Sequence, residues 1–248
     1  MFPLMLLGPC LASIALIRLV DGKSGLKDLF SRMLCFRFPM RWYLALLFPP
    51  LLVLAVLVLM QRWLSPVYAP NRFFLGILFA VAPGLLEEIG WTGYVFPKMH
   101  SRSSALAASV TLGLVWALWH WPVINYLGAV TPHGRYWLRF FVAFAWAMVA
   151  MRVLISWLYA NTKSVLLAQL MHISSTGSLI VFGPAHITPA QEPYWYAIYG
   201  IALWVLVAVV AHRFENSSNW HPRQTTAVNK RFHSLVSFFL WNDPDTFL

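Results

Sequence analysis

Long apolar runs limit what this chain can fold into. Several stretches of about 20 residues carry few or no charges, and a helix of that length crosses the hydrocarbon core of a bilayer. We predict an all-α fold, a polytopic transmembrane helical bundle of about seven spans. The predicted spans are 2–20, 42–60, 73–97, 104–128, 138–158, 164–183 and 194–212.

Composition and charge agree with an integral membrane protein. Hydrophobic residues make up 60% of the 248 residues and charged residues 10%, whereas a soluble domain carries about 25% charged residues. The formal charge of +10 is interpreted as loop charge facing anionic lipid, and no nucleic-acid partner is expected. Cys10 and Cys35 are too few for a disulfide framework and are expected to be free thiols.

The segment between the first two spans is basic and amphipathic. Residues 26–34 alternate apolar and basic positions at helical spacing, which favours an interfacial amphipathic helix over a solvated connector. The positive-inside rule places the 21–41 loop in the cytoplasm, with the C-terminus on the same side. The expected organisation is one transmembrane domain, 1–212, and a cytoplasmic tail, 213–248, that is surface-bound or partly disordered.

The N-terminal run is expected to remain in the protein as a span. Arg18 is its first basic residue, whereas a cleaved signal peptide carries basic residues before its apolar core. The protein is therefore expected to be an integral membrane protein.

Two adjacent carboxylates interrupt the third apolar run. A carboxylate in hydrocarbon costs at least about 2.5–3.5 kcal/mol by insertion scales, yet Glu87 and Glu88 lie well inside 73–97. Helix geometry separates them by about 100°, so Glu88 shares a face with Thr92 whereas Glu87 does not. The pair is expected to line a polar cavity; the alternative is a solvated helix end.

Two histidines lie at similar depth in later spans. His120 follows two tryptophans and precedes Pro122, which should kink the helix, and His172 shares a face with Thr176. Each histidine alone is also compatible with a packing role. If the three polar faces meet, a carboxylate and an imidazole can activate water for amide hydrolysis. The same Glu87, His120 and His172 could instead hold zinc, but the His-Glu-x-x-His motif is absent.

Three motifs, in order, resemble one family. Glu-Glu-Ile-Gly-Trp-x-Gly-Tyr, Trp-x-x-Trp-His-x-Pro and Leu-Met-His, within about residues 75–180, are similar to the CPBP family of type II CAAX prenyl endopeptidases and Abi-type bacteriocin-processing or immunity proteins. The resemblance implies that Glu87 and His120 activate water and that His172 contributes to an oxyanion hole. It is compatible with a mechanism without metal, which we favour, and with a zinc enzyme.

Two positions depart from the family pattern. Thr92 stands where the first motif normally has Arg, so Glu88 is expected to be protonated or paired from another helix. Thr176 stands where the third motif has Asn, which leaves one donor proton instead of two. These departures imply either altered tuning or weakened, even lost, activity. Arg152, in the fifth span, is expected to snorkel to the cytoplasmic side, with a cavity counter-ion as the alternative.

The leading functional prediction is an intramembrane endopeptidase acting on a peptide or membrane-protein substrate. A non-catalytic membrane protein in bacteriocin immunity or partner binding is the alternative, and a proton-coupled transporter is a third class, disfavoured because the sequence has no internal repeat. The sequence carries no signal for the identity of the substrate or the oligomeric state.

Overall fold

The predicted all-α class is confirmed. The computed structural model describes residues 2–127 and 133–214, and these ranges contain helices but no strands. The predicted tail lies outside the described residues apart from its first two positions. The α-helices are α1 Phe2–Val20, α2 Gly22–Met33, α3 Met40–Leu44, α4 Phe48–Trp63, α5 Ile77–Gly90, α6 Phe96–His100, α7 Ala105–Trp119, α8 Trp121–Leu127, α9 Trp137–Thr162, α10 Val165–Phe182 and α11 Glu192–Phe214.

Six helical stretches in the described ranges are long and apolar enough to cross a membrane, and each overlaps a predicted span. The first predicted span, 2–20, coincides with the apolar helix α1, which is not one of the six. The six stretches are Met40–Trp63, Phe74–His100, Ala105–Asn125, Gly134–Thr162, Val165–Phe182 and Glu192–His212.

The basic loop joins one end of the bundle. Asp21, just before α2, pairs with Lys98 Nζ at 3.0 Å, and Arg32 Nη1 donates to the Tyr159 hydroxyl at 2.7 Å. The predicted amphipathic helix is present as α2, and it also buries Leu29 completely inside the bundle. The basic loop and the ends of α6 and α9 therefore lie together, as the charge distribution predicts.

The opposite end is tied by a second set of contacts. The Asn71 N–H donates to the Phe182 carbonyl at 3.0 Å, which links the segment before α5 to the end of α10. His133 Nε2 and Glu192 Oε2 lie 2.6 Å apart, which links the segment before α9 to the start of α11. The two ends of the bundle thus correspond to the two sides that the positive-inside rule assigns to the loops, the basic cytoplasmic side and the other side.

Helix α9 forms the centre of the bundle. Its residues from Ala147 to Ala160 are all buried, and it packs against α7, α10 and α11. Gly113 in α7 brings that helix close to α9, since a Cβ there would lie 3.0 Å from the Val149 Cα. A polar side chain on the inner half of α9 is therefore surrounded by protein.

Helices α5 and α10 also approach backbone to backbone. A Cβ on Gly84 would lie 3.0 Å from the Ile173 amide nitrogen and 3.1 Å from the Gln169 carbonyl oxygen. The Gln169 Nε2 donates to the Leu85 carbonyl at 2.7 Å across the same contact. This close packing sets the distance between the glutamate pair on α5 and His172 on α10.

Substitution at this contact tests the packing. Gly84→Ala should lower the free energy of unfolding by about 1–3 kcal/mol, because the added methyl group meets backbone atoms that cannot rotate away. Gly8→Ala is the matched control, since its Cβ would lie 3.5 Å from the Trp119 ring, an ordinary contact. The measurement is unfolding of the purified protein in detergent; equal stability of the two variants would contradict the close approach.

Candidate active site

Glu88 is the most heavily bonded side chain of the polar interior. Arg152 binds it with both terminal nitrogens, Nη2 to Oε1 and Nη1 to Oε2, each at 2.8 Å. His172 Nδ1 lies 2.8 Å from Oε1, and the Thr92 hydroxyl donates to Oε2. Glu88 and Arg152 are both fully buried. The carboxylate thus receives donors from the turn that follows α5 and from α9 and α10.

The expectation that Arg152 snorkels to the cytoplasmic side is wrong. The central position of α9 gives the side chain no short path to water, and the bidentate bonds to Glu88 offset part of its desolvation. Of the two expectations for Glu88, pairing from another helix is therefore the one observed. The sequence holds a signal for this contact: Arg152 lies deep inside an apolar span, and the first motif has Thr92 in the place of an arginine.

Trp116 connects the groups of the site through different parts of its side chain. Its Nε1 donates to Glu87 Oε2 at 3.0 Å, and the Arg152 guanidinium carbon lies 4.2 Å from its ring centroid. The imidazoles of His120 and His172 meet the indole nearly edge to face, with ring centroids at 4.9 and 5.2 Å. One tryptophan on α7 therefore contacts a carboxylate, a guanidinium and two imidazoles.

Glu87 differs from its neighbour in having an oxygen to spare. Its side chain is 5% exposed, and Oε2 accepts the Trp116 bond. The other oxygen, Oε1, accepts no hydrogen bond from the part of the chain that the structure describes. The predicted separation of the two glutamates around the helix thus gives one saturated carboxylate and one that can still bind water.

His120 lies in the turn where the fourth predicted span breaks into α7 and α8. Pro122 has no N–H to donate to the Leu118 carbonyl, and its ring crowds that residue, so a continuous helix is disfavoured. His120 Nδ1 lies 2.7 Å from the Trp116 carbonyl oxygen. Because a carbonyl only accepts, Nδ1 carries the proton and Nε2 is left to accept or relay another. The ring is half-buried, more accessible than Glu87.

Of the third motif, His172 belongs to this hydrogen-bond network and Thr176 does not. His172 contacts Glu88 through Nδ1, which leaves Nε2 for another partner. Thr176, one turn further along α10, is half-buried, and its hydroxyl forms no hydrogen bond within the described ranges. Their oxyanion role stays a prediction, and Nε2 of His172 can donate only when the ring carries both protons.

A π-helical turn follows the glutamates, which the sequence did not lead us to expect. Residues Trp91–Val95 form this turn, in which the Phe96 N–H bonds to the Trp91 carbonyl five residues back. Pro97 offers no N–H for an α-helical bond to the Gly93 carbonyl, so a wider turn costs less here. Such π turns are frequent at functional sites. This one holds Thr92 against Glu88.

The residues named for a zinc site do not fit one. Nowhere in 2–127 or 133–214 do three His, Cys, Asp or Glu side chains come together as a metal site needs. Glu88 has both oxygens occupied by Arg152, and Nδ1 of His172 is directed to Glu88. Glu87, His120 and His172 surround one indole ring without converging on a single point.

Comparison with known proteins finds a family match over the part of the chain that contains this cluster. Residues 69–178 match the family described as "Type II CAAX prenyl endopeptidase Rce1-like". "CAAX prenyl protease 2" of Methanococcus maripaludis is 30% identical over 141 residues, which are 51% of this chain and 51% of that protein. The predicted resemblance to the CPBP family is confirmed, and the chain spans about half the length of this curated relative.

The indole N–H of Trp116 can be tested apart from its ring. Trp116→Phe should lower the free energy of unfolding by about 1.5–3 kcal/mol through the lost hydrogen bond to a charged group, in addition to the cost of the smaller ring. Trp204→Phe is the matched control, since it removes an exposed indole bond to the neutral Trp146 carbonyl, 3.1 Å long. Unfolding in detergent measures both; a loss at Trp116 no larger than at Trp204 would contradict the Glu87 contact.

Proposed function

We propose that this protein, whose residues 69–178 resemble the CPBP family, is an intramembrane endopeptidase that uses Glu87 and His120 to activate water. The observation that carries the proposal is their common support. Trp116 fixes Glu87 through its indole N–H and His120 through its carbonyl oxygen, at 3.0 and 2.7 Å. Each group keeps one atom, Oε1 and Nε2, for a water or a substrate.

The proposed reaction begins with proton transfer from water to Glu87. The hydroxide that forms attacks the carbonyl carbon of the substrate and gives a tetrahedral oxyanion. When the intermediate collapses, the C–N bond breaks and the leaving nitrogen takes the proton from Glu87, directly or through His120 Nε2. Water is consumed, and the products are a new carboxyl and a new amino terminus.

His172 is the proposed donor to the oxyanion. As an imidazolium it donates through Nδ1 to Glu88 and through Nε2 to the developing negative charge. Glu88 would then hold the ring in place, while Arg152 holds Glu88. Thr176 lies one turn away on α10, as a second and weaker donor.

The substrate class is a peptide or a segment of a membrane protein that reaches the site from the bilayer or from the cytoplasmic end. His120 is the most accessible of the three proposed catalytic groups. The relative's printed name concerns prenylated CAAX proteins; for this chain we extend the proposal only to peptides. The expected location is the bacterial cytoplasmic membrane, with the basic end and the C-terminus in the cytoplasm.

A non-catalytic, partner-binding role is the second candidate. Thr176, which stands where the family motif has Asn, favours it, because loss of one oxyanion donor typically costs about 10²–10³ in rate. A protein of this kind would need the fold but not Glu87. The two candidates therefore differ in what a change at Glu87 does.

Hydrolysis can be detected without a known substrate. Purified protein in liposomes is incubated with a peptide library in H₂¹⁸O, and mass spectrometry identifies new C-termini that carry the heavy oxygen. Glu87→Gln should abolish these products, because an amide cannot take the proton from water. Glu192→Gln is the control, since this carboxylate lies at the start of α11 with His133. Products that persist in Glu87→Gln protein, or that are absent from the wild type, would reject the mechanism.

The absence of a converging donor set predicts resistance to chelators. Incubation of the purified protein with a strong zinc chelator should leave the rate of ¹⁸O-labelled product formation within about twofold of the untreated rate, a change of less than about 0.5 kcal/mol in barrier. Inactivation that added zinc reverses would show that the site rearranges to bind metal and would contradict the proposed mechanism.

A further inference from the structure

A cavity separate from the glutamate–histidine cluster opens near the basic end of the bundle. It has a volume of about 350 Å³ and lies among α3, the start of α4, α9, α10 and α11. This is within the range of about 300–1,000 Å³ typical of small-molecule sites. Its inner wall includes Leu154 and Met171, on the helices that carry Arg152 and His172. The site proposed for hydrolysis does not use it.

The lining of the cavity is apolar apart from two side chains. Arg41 and Asn161 are the polar members, and no carboxylate is among the lining residues. The Asn161 Nδ2 donates to the Trp157 carbonyl at 2.9 Å, so the amide oxygen is left to accept a bond from a hydroxyl. The apolar lining residues are Trp42, Ala45, Phe48, Leu154, Trp157, Met171, Leu206, Val209 and Val210.

Arg41 lies at the mouth of this cavity and has no acidic partner among the described residues. Its side chain is exposed, its guanidinium carbon lies 5.3 Å from the ring centroid of Trp42, and it forms no ion pair within the described ranges. Trp42 in turn packs on Trp157, with centroids 5.4 Å apart. The aromatic contact holds the charge beside the apolar opening.

The mouth also faces the lipid. Phe48 and Val209 line the cavity and are 48% exposed on the outside of α4 and α11. An acyl chain can therefore enter sideways from the bilayer without crossing water. The end of the bundle that holds Arg41 is the basic one, where anionic headgroups gather.

We propose that the cavity binds an anionic phospholipid, with one acyl chain among the apolar residues and the phosphate on Arg41. The charge and the apolar wall require an amphiphile with a negative head. Asn161 favours a headgroup that carries a hydroxyl, as phosphatidylglycerol does. The proposal is independent of catalysis, because none of its residues touches Glu87 or His120 in the contacts described above.

Native mass spectrometry of the full-length protein, released from detergent with added lipid, tests the proposal. Phosphatidylglycerol should bind more tightly than phosphatidylcholine of the same chains. Arg41→Gln should weaken phosphatidylglycerol binding about fivefold, since one basic residue near an anionic surface contributes about 1 kcal/mol. Val209→Trp should weaken both lipids by filling the mouth, and Arg41→Lys should retain the preference for the anionic lipid.

Two matched controls accompany these variants. Arg37→Gln removes an exposed arginine of the same loop that also lies over an aromatic ring, Phe36, but does not line the cavity. Val205→Trp enlarges an exposed valine one turn from Val209 on α11, also outside the lining. Both should bind phosphatidylglycerol as the wild type does.

Three outcomes would overturn the proposal. The first is equal affinity for the two lipids in the wild type, and the second is a loss in the controls as large as in Arg41→Gln and Val209→Trp. The third is phosphatidylglycerol binding that is detected only after residues 215–248 are removed. The occupant of the cavity would then be the chain's own tail. Unfolding midpoints in detergent verify that Arg41→Gln and Val209→Trp are folded; if both unfold, the Arg41→Lys comparison between the two lipids decides.

Discussion

The buried ion pair between Glu88 and Arg152 is the interaction on which the interior of this bundle depends. Both side chains are fully buried, and two parallel bonds of 2.8 Å join them. Removing one partner of such a pair typically costs about 3–5 kcal/mol, because the other charge stays in a medium of low dielectric. Since the partners lie on α5 and α9, the pair also fixes how these two helices face each other.

The pair organises the groups around it. His172 on α10 donates to the same carboxylate, and the Arg152 guanidinium lies on the indole face of Trp116 on α7. Charge-assisted contacts thus join four helices, α5, α7, α9 and α10, at a depth where lipid hydrocarbon has no polar groups to pair with these side chains. Trp116 in turn positions Glu87 through its indole N–H. Both oxygens of Glu88 accept hydrogen bonds, so neither is available for catalysis. Saturation of one glutamate leaves the other as the candidate base.

Much of this arrangement follows from the sequence. Hydropathy alone indicates where the long helices lie, and a rotation of about 100° per residue separates Glu87 from Glu88. Both histidines meet the same tryptophan, as the recurrence of polar motifs at span depth suggests. These features depend on period and length, which a single sequence records directly.

The features that escaped prediction depend on which helix becomes the centre. Hydropathy does not distinguish an arginine that reaches the membrane surface from one buried among helices, so it does not predict that Arg152 pairs with Glu88. The π turn after Gly90 reflects local competition for backbone hydrogen bonds next to Pro97, whereas the break at His120 is the one that Pro122 predicts. The cavity beside Arg41 arises from the packing of helices distant in sequence, which no motif encodes.

The most direct test of this account moves the arginine from α9 to the position where the family motif normally has it. Arg152→Met should lower the free energy of unfolding in detergent by about 3–5 kcal/mol, since Glu88 loses its counter-ion. Adding Thr92→Arg should restore most of that loss, because residue 92 already contacts Glu88 and lies 3.5 Å from Arg152 Nη1. An unchanged stability in Arg152→Met, or a double variant no more stable than the single one, would contradict the central role of the pair.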